Sequence, residues 1–316
     1  MDVLASLLDG PRGRGTSLLR MSMSPPWSVR MADDTPLGLL ALARGSAWLV
    51  PDDGDPRPLP EGSVVLVKGP EPVTLASEPG EAVTVVCGPG GRRTAPDGAD
   101  LGASLSLGAR TWGNDAAGDT RVLMGCYQFI GEFSARVLAA VPPITVLTGP
   151  EFSSPLVSLL DDEIGRDEPG QQAILDKLYD LLLVLVIRAW FHAPDAVVPG
   201  WYAVFADPVV GPAVRLLHEE PNRPWTVASL AAETGQSRAA LARNFTDRLG
   251  MPPMAYLKER RLTRAADLLL DPDLTLDAIA RRVGYADGAT LSKAFKAARG
   301  MSPQSYRADA PPALHG

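Results

Sequence analysis

Two clusters of basic side chains stand out among the residues that could do chemistry. Arg238 and Arg243 follow Gly235, and Lys293 and Lys296 follow Gly284. A cation near the start of a helix suits DNA. A guanidinium matches guanine O6 and N7 in the major groove, whereas an ammonium more often meets a phosphate and carries little sequence information. The other reactive candidates are Cys87 and Cys126. Two cysteines are too few for a disulfide framework or a four-ligand zinc site, so they read as small buried hydrophobes, with a redox-sensing pair as the sharper alternative. His192, His218 and His315 are scattered. With no Gly-x-Ser-x-Gly elbow, phosphate-binding glycine loop or dinucleotide fingerprint, the expectation is no catalytic residue, no metal and no cofactor.

The elements that must position the basic clusters repeat within the chain. At an offset of 49, Thr226, Leu230, Ala231 and Gly235 align with Thr275, Ile279, Ala280 and Gly284. At an offset of 50, Leu241, Arg243, Phe245, Gly250, Met251, Pro253 and Tyr256 align with Leu291, Lys293, Phe295, Gly300, Met301, Pro303 and Tyr306. Each copy predicts a short helix, 227–233 or 276–283, a glycine stop, and a second helix, giving helix-turn-helix motifs over about 227–249 and 276–299. Ser237 is the expected N-cap of the first copy's second helix. Leu241, Phe245 and Leu249 face inward there, and Arg238, Ala239, Ala242 and Arg243 outward; in the second copy Leu291, Phe295 and Ala298 face in, and Ala289, Thr290, Lys293 and Lys296 out. A connecting helix over 253–270 would span about 27 Å at ~1.5 Å per residue. That suits two recognition helices one DNA turn apart.

Before this repeat the chain has another character. Short β-prone runs at 37–43, 47–50, 63–68, 73–76, 83–87, 104–107 and 121–130, cut by Gly/Pro turns, predict an antiparallel sandwich or barrel. After Pro142-Pro143 a short helix is expected over 151–160 and a long one over 171–191. The long helix carries a wide apolar stripe of Ile174, Leu175, Leu178, Leu181, Leu182, Leu185 and Ala189, either core or a dimer-forming face.

The runs Ile279-Ala280-Arg281-Arg282-Val283-Gly284-Tyr285, Leu291-Ser292-Lys293-Ala294-Phe295-Lys296 and Gly300-Met301-Ser302-Pro303-Gln304-Ser305-Tyr306-Arg307 closely resemble the AraC/XylS family of transcription regulators. The resemblance covers about 210–308 and implies a seven-helix domain with two DNA-binding motifs. It carries base-facing roles to Ala239, Ala242, Arg243, Ala289, Thr290 and Lys293, with Arg238 at a base or a phosphate. Lys296, Ser292 and Arg307 are expected at phosphates. Gly288 and Ala289 stand where many members have polar side chains, which makes the second helix the poorer reader.

The segments Gly45-Ser46-Ala47-Trp48-Leu49-Val50, Leu59-Pro60-Glu61-Gly62-Ser63-Val64-Val65-Leu66 and Leu123-Met124-Gly125-Cys126-Tyr127-Gln128-Phe129, with Gly170-Gln171-Gln172, Arg188-Ala189-Trp190-Phe191 and Asp207-Pro208, resemble the cupin-type sensor domain of some such regulators. What this implies is a small β-barrel with a helical dimerisation segment. No histidine lies on a predicted strand, so the His-built metal site of enzymatic cupins is not expected. Trp27, Trp48, Lys68 and Tyr127 are the candidates to line an effector pocket.

The fold expected is therefore α+β and multidomain: a cupin-like barrel and dimerisation domain over 1–192, a linker over 193–208, an all-α double helix-turn-helix domain over 209–310, and a tail over 311–316. The expected function is a sequence-specific DNA-binding transcription regulator, not an enzyme. A thiol-based redox regulator and a cupin-fold enzyme are the alternatives. Expected partners are double-stranded DNA, an unknown small effector, a second copy of the chain and, for an activator, RNA polymerase.

Bulk composition fits this reading. Of 316 residues 46% are hydrophobic and 21% charged, as in a soluble globular protein and not a disordered one. The start lacks a basic and then apolar leader, and the most apolar stretch, 181–191, is about half the ~20 residues of a membrane span and contains Arg188. No membrane partner and a cytoplasmic location are expected. Taken as one number, the formal net charge of -7 argues against DNA, but it averages unlike halves. From Val209 onward 15 Lys or Arg face 11 Asp or Glu, a surplus of four positive charges.

Overall fold

A computed structural model describes residues 18–33, 35–69, 71–127, 137–149, 155–193, 196 and 198–309. The chain divides into two compact units, one built mainly from 15–128 and 141–194 and the other mainly from 195–315.

In the first unit thirteen strands are found among the described residues. They are β1 Leu19–Met23, β2 Ser28–Met31, β3 Leu37–Arg44, β4 Ala47–Pro51, β5 Arg57–Leu59, β6 Val64–Lys68, β7 Val73–Ala76, β8 Val85–Cys87, β9 Arg93–Thr94, β10 Ser106–Gly108, β11 Thr111–Gly113, β12 Thr120–Tyr127 and β13 Ile144–Leu147. They form a seven-stranded sheet in the order β10-β11-β1-β12-β3-β6-β13 and a six-stranded sheet in the order β5-β4-β7-β2-β8-β9. Alternation explains how the sheets meet, since period-two positions share a face. Met21, Met23, Leu40, Leu42, Val65 and Val122 of the larger sheet and Val29, Leu49, Val73, Leu75 and Val85 of the smaller join one buried cluster. Among the described residues the strands thus make two facing sheets.

Period two also leaves a second apolar face on the larger sheet. Leu37, Leu39 and Ala41 of β3 point away from the sandwich and are buried nonetheless. Two helices cover them, α1 Pro155–Ile164 and α2 Gln171–His192. Tyr179 of α2 stacks on Tyr127 at 5.3 Å and donates from its hydroxyl to the Leu39 carbonyl at 3.0 Å. Asp161 of α1 accepts from Arg20 at 3.4 Å and Arg121 at 3.2 Å.

The sequence expectation is corrected at three places. Strands begin at Leu19, not near 36, and β13 follows Pro142-Pro143 where only helices were expected. In β1 the inward Met21 and Met23 alternate with Arg20 and Ser22, a weaker apolar signal than the aliphatic runs downstream. The stripe on α2 is also split: Leu175, Tyr179, Leu182 and Val186 are buried, whereas Ile174 and Leu181 remain exposed. Residues 128–130 and 151–154, the ends of two expected elements, lie outside the described residues.

The second unit begins with a short turn of helix, α3 Gly200–Ala203. Seven further helices follow among the described residues: α4 Gly211–Glu219, α5 Val227–Glu233, α6 Arg238–Leu249, α7 Pro253–Leu269, α8 Leu276–Val283, α9 Gly288–Arg299 and α10 Pro303–Asp309. They enclose two separate cores. Val214, Leu217, Leu230, Leu241, Phe245 and Leu257 form the first, and Leu262, Ala266, Leu269, Ile279, Val283, Leu291 and Phe295 the second. Helix α7 serves both, giving Leu257 to one and Leu262 onward to the other. Each fully buried Leu or Phe contributes about 1.5–3 kcal/mol of burial free energy.

Candidate nucleic-acid interface

Both motifs are held open-ended by their caps. At α5, Thr226 accepts from the Ser229 amide while Ser229 accepts from the Thr226 amide, a reciprocal box. At α8, Thr275 accepts from the Ala278 amide. The second helices start on Ser237, which accepts from the Ala240 amide, and on Asp287, which accepts from the Thr290 amide. That amide hydrogen bond is the main reason the Asp287 carboxyl sits below the usual aspartate range.

With the caps fixed, the helix period decides which side chains face outward. Leu241 and Phe245 of α6, and Leu291 and Phe295 of α9, are fully buried. Arg238, Ala239 and Arg243 are exposed on α6, as are Ala289, Thr290, Lys293 and Lys296 on α9, while Ala242 and Ser292 are half-buried. Every expected base-facing residue therefore lies on the solvent side or its margin. Among the described residues, Arg238, Arg243, Lys293 and Lys296 engage no carboxylate and no side-chain acceptor. Neighbouring cations are committed: Arg248 to Asp207 at 3.1 Å and Arg299 to Glu259 at 2.9 Å.

One expected phosphate contact is redirected. Arg307 donates from Nε to the Leu269 carbonyl at 2.8 Å and from its terminal nitrogen to the Leu274 carbonyl at 2.7 Å. Those are end groups of α7 and its following loop, so the guanidinium caps a helix instead of facing solvent. Sequence reasoning also missed Arg281 and Arg282, exposed in the last turn of α8. Their position on the first helix of the motif, which crosses the DNA backbone in this architecture, was the available signal.

Two glycines fix the second motif more tightly than the first. Gly288 opens α9 so close to α8 that a Cβ would lie 2.9 Å from Asp277 Oδ1, and its amide donates to that oxygen at 2.7 Å. It is a packing residue. Gly284, at φ 85°, leaves no room beside Arg261, and a Cβ there would lie 2.8 Å from the guanidinium. Arg261 of α7 in turn donates to the Pro221 carbonyl at 2.6 Å and the Arg223 carbonyl at 2.8 Å. The turn of the second motif is thereby tied to the loop that precedes the first.

Comparisons with known proteins agree with this geometry. A cupin family model matches residues 2–192, and a helix-turn-helix domain model matches residues 230–309. An AraC-like transcription regulator of Streptomyces lividans is 32% identical, covering 97% of this chain and 98% of that protein. The chain belongs to the AraC family of transcription regulators. A second AraC-like regulator, from Streptomyces antibioticus, is 31% identical over the same shares, and the regulator AlkR of Acinetobacter baylyi is 26% identical over 97% of this chain and 99% of its own. As an AraC-family member the protein is a DNA-binding transcription regulator with a helix-turn-helix domain and a β-rich cupin domain suited to an effector.

The four effector-pocket candidates of this regulator fall in three places. Trp27 is buried between the sheets, with no hydrogen-bond acceptor for its indole N–H among the described residues. Trp48 alternates with Ala47 and Leu49 of the core and so faces the opposite side of the smaller sheet. Lys68 and Tyr127 both flank Leu37 in register, on the helix-covered face of the larger sheet. There Lys68 donates to the Val141 carbonyl and Tyr127 to Asp180 at 3.3 Å. One aromatic-rich mouth is not assembled from these four.

The cysteine alternative is not favoured. Neither cysteine is in a disulfide, and burial pushes the Cys87 thiol up to about 11, so almost none of it is thiolate near neutrality. Oxidation needs the thiolate. Among the described residues no three His, Cys, Asp or Glu side chains gather as a metal site would require, and no helix is long and apolar enough to cross a membrane.

Proposed function

We propose that one chain sets α6 and α9 into successive major grooves of double-stranded DNA, with Arg243 reading a guanine and α9 serving mainly to hold the backbone. The observation that carries this reading is the matched exposure of the two helices with their unpaired cations, Arg238 and Arg243 on one, Lys293 and Lys296 on the other. Helix α7, with 17 residues, sets a separation of about 25 Å at ~1.5 Å per residue before the widths of the flanking helices are added. Ala239, Ala242, Ala289 and Thr290 supply small surfaces that fit against base edges and thymine methyls. Arg281, Arg282 and Ser292 face phosphates.

The regulator works as a homodimer in the cytoplasm, and an activating role would add RNA polymerase as a partner. A surplus of only four positive charges over the helical region gives modest non-specific affinity, so two chains on paired sites hold DNA better than one. Ile174 and Leu181 of α2 are 46% and 45% exposed, which leaves an apolar strip for a second copy. The non-enzymatic reading rests on relatives that are transcription regulators. Selection of binding sites from random duplexes tests the function: wild type should enrich a defined motif, and failure to enrich any sequence would overturn the reading.

A further inference from the structure

Register places three side chains on one inner surface of the smaller sheet. Met31 pairs with Cys87, and Cys87 pairs with Arg93, while Met31 and Cys87 both pack on the core between the sheets. Arg93 therefore points inward from the edge strand β9. Its guanidinium carbon lies 4.8 Å from the ring centroid of Trp112, which belongs to β11 of the other sheet, so this cation bridges the gap between the two sheets.

The arrangement is polar where a core should be apolar. Arg93 is half-buried, and among the described residues it pairs with no carboxylate and donates no hydrogen bond. Trp112 is 1% exposed, and its indole N–H has no acceptor among the described residues. The buried indole N–H is costly to leave unmet unless something supplies an acceptor, and the Arg93 guanidinium beside it has no carboxylate partner among the described residues. The neighbouring thiol of Cys87, kept protonated by burial, supplies no negative charge. Met21, Leu101 and Leu105 pack on the same core; the Asp33 carboxylate also acts on Cys87, and it accepts from the Thr35 amide and forms no ion pair with Arg93.

We propose that the effector is a small organic carboxylate with an apolar body, bound between the sheets by Arg93 and Trp112. This rests on the reading of the cupin domain as the effector domain. The planar guanidinium fork fits a carboxylate through two parallel hydrogen bonds, and stacking on Trp112 holds the fork's plane while leaving its N–H edges free. The indole N–H supplies a further donor, and the methionine and leucine side chains take the apolar body.

The test uses the full-length protein with benzoate and octanoate, each beside its neutral amide, read by tryptophan fluorescence and by melting temperature. Saturable binding of at least one carboxylate, with its amide weaker by roughly tenfold or more, is expected, as charge-assisted pairing is lost in the amide. Arg93→Ala should abolish the preference. Trp112→Phe, which keeps a ring and removes the N–H, should weaken binding several-fold and keep the preference for carboxylate. Equal binding of acid and amide, undiminished binding by Arg93→Ala, or no binding of either carboxylate would overturn the proposal. Where Arg93→Ala fails to fold, the acid-to-amide contrast in the wild type and the Trp112→Phe variant decide. Binding to a selected DNA site is measured in the same samples: specific DNA binding without carboxylate binding defeats only the effector proposal, and carboxylate binding without specific DNA binding defeats only the regulator reading.

Discussion

Phe245 stands edge-on to Tyr256 at 5.5 Å, and fifty residues later Phe295 stands edge-on to Tyr306 at 5.4 Å. The leucine one turn before each phenylalanine is buried, and each second helix ends on a glycine in the left-handed conformation, Gly250 or Gly300. The inward faces of the two motifs are thus near duplicates. Their outward faces are not. Arg238 and Arg243 on α6 correspond to Gly288 and Lys293 on α9, and Thr246 corresponds to Lys296. The contrast fits the proposed division of labour within one repeated frame: burial preserves the frame, while the solvent face is free to specialise, with one copy proposed to read bases and the other to hold the backbone.

The largest expected effect tests the sameness of the frames. Phe245→Ala and Phe295→Ala should each destabilise the helical unit by about 3–5 kcal/mol, since both leave a large cavity against a tyrosine. Chemical denaturation of the two variants should give similar losses, and a several-fold disparity would break the duplication.

The outward faces are separated by Arg243→Ala and Lys293→Ala. Loss of a guanidinium on guanine should cost about 1–3 kcal/mol of discrimination at one base position. Loss of the ammonium should weaken all sequences alike and lower the slope of log affinity against log salt by about one. Competition binding over a salt series distinguishes them, and equal behaviour of the two variants would erase the proposed division. Arg307→Ala, by contrast, should leave that slope unchanged because its guanidinium is committed to the carbonyls of Leu269 and Leu274.

Gly288→Ala probes the tighter packing of the second motif. The added methyl meets Asp277 and Leu276, so a loss of about 1–3 kcal/mol is expected from overpacking. Arg238→Ala, its counterpart in the first motif, should leave melting unchanged, because Arg238 is exposed.

The smallest effect concerns the caps. Asp287 is held below its ordinary range in the folded state, so its contribution is complete above the unfolded value near ~4 and disappears as pH falls through the folded one. The gap in melting temperature between wild type and Asp287→Ala should therefore close on acidification. The corresponding gap for Ser237→Ala should not, because a hydroxyl cap does not titrate in that range.

Much of this frame was legible in the chain because helix caps, glycine stops and the spacing of Leu241, Phe245, Leu291 and Phe295 are local signals repeated twice. The β-unit was less so. The helix-covered outer face of β3 gives the run Leu37 to Ala43 an unbroken apolar look, whereas β1 hides its strand period among Arg20, Ser22 and three different apolar types. The role of Arg307 was out of reach for the same physical reason: its acceptors are carbonyls 38 and 33 residues away, and backbone carbonyls carry no residue identity. The pairing of Arg93 with Trp112 likewise depends on which edges of two sheets face each other, which no spacing within either strand encodes.

Whether Arg243 reads a guanine is decided by site selection from random duplexes with wild type and Arg243→Ala in parallel. Wild type should enrich a motif, and the variant should keep that motif except at one guanine, where preference is lost. Wild-type protein enriching nothing, or a variant motif identical to the wild-type one at every position, would contradict that role.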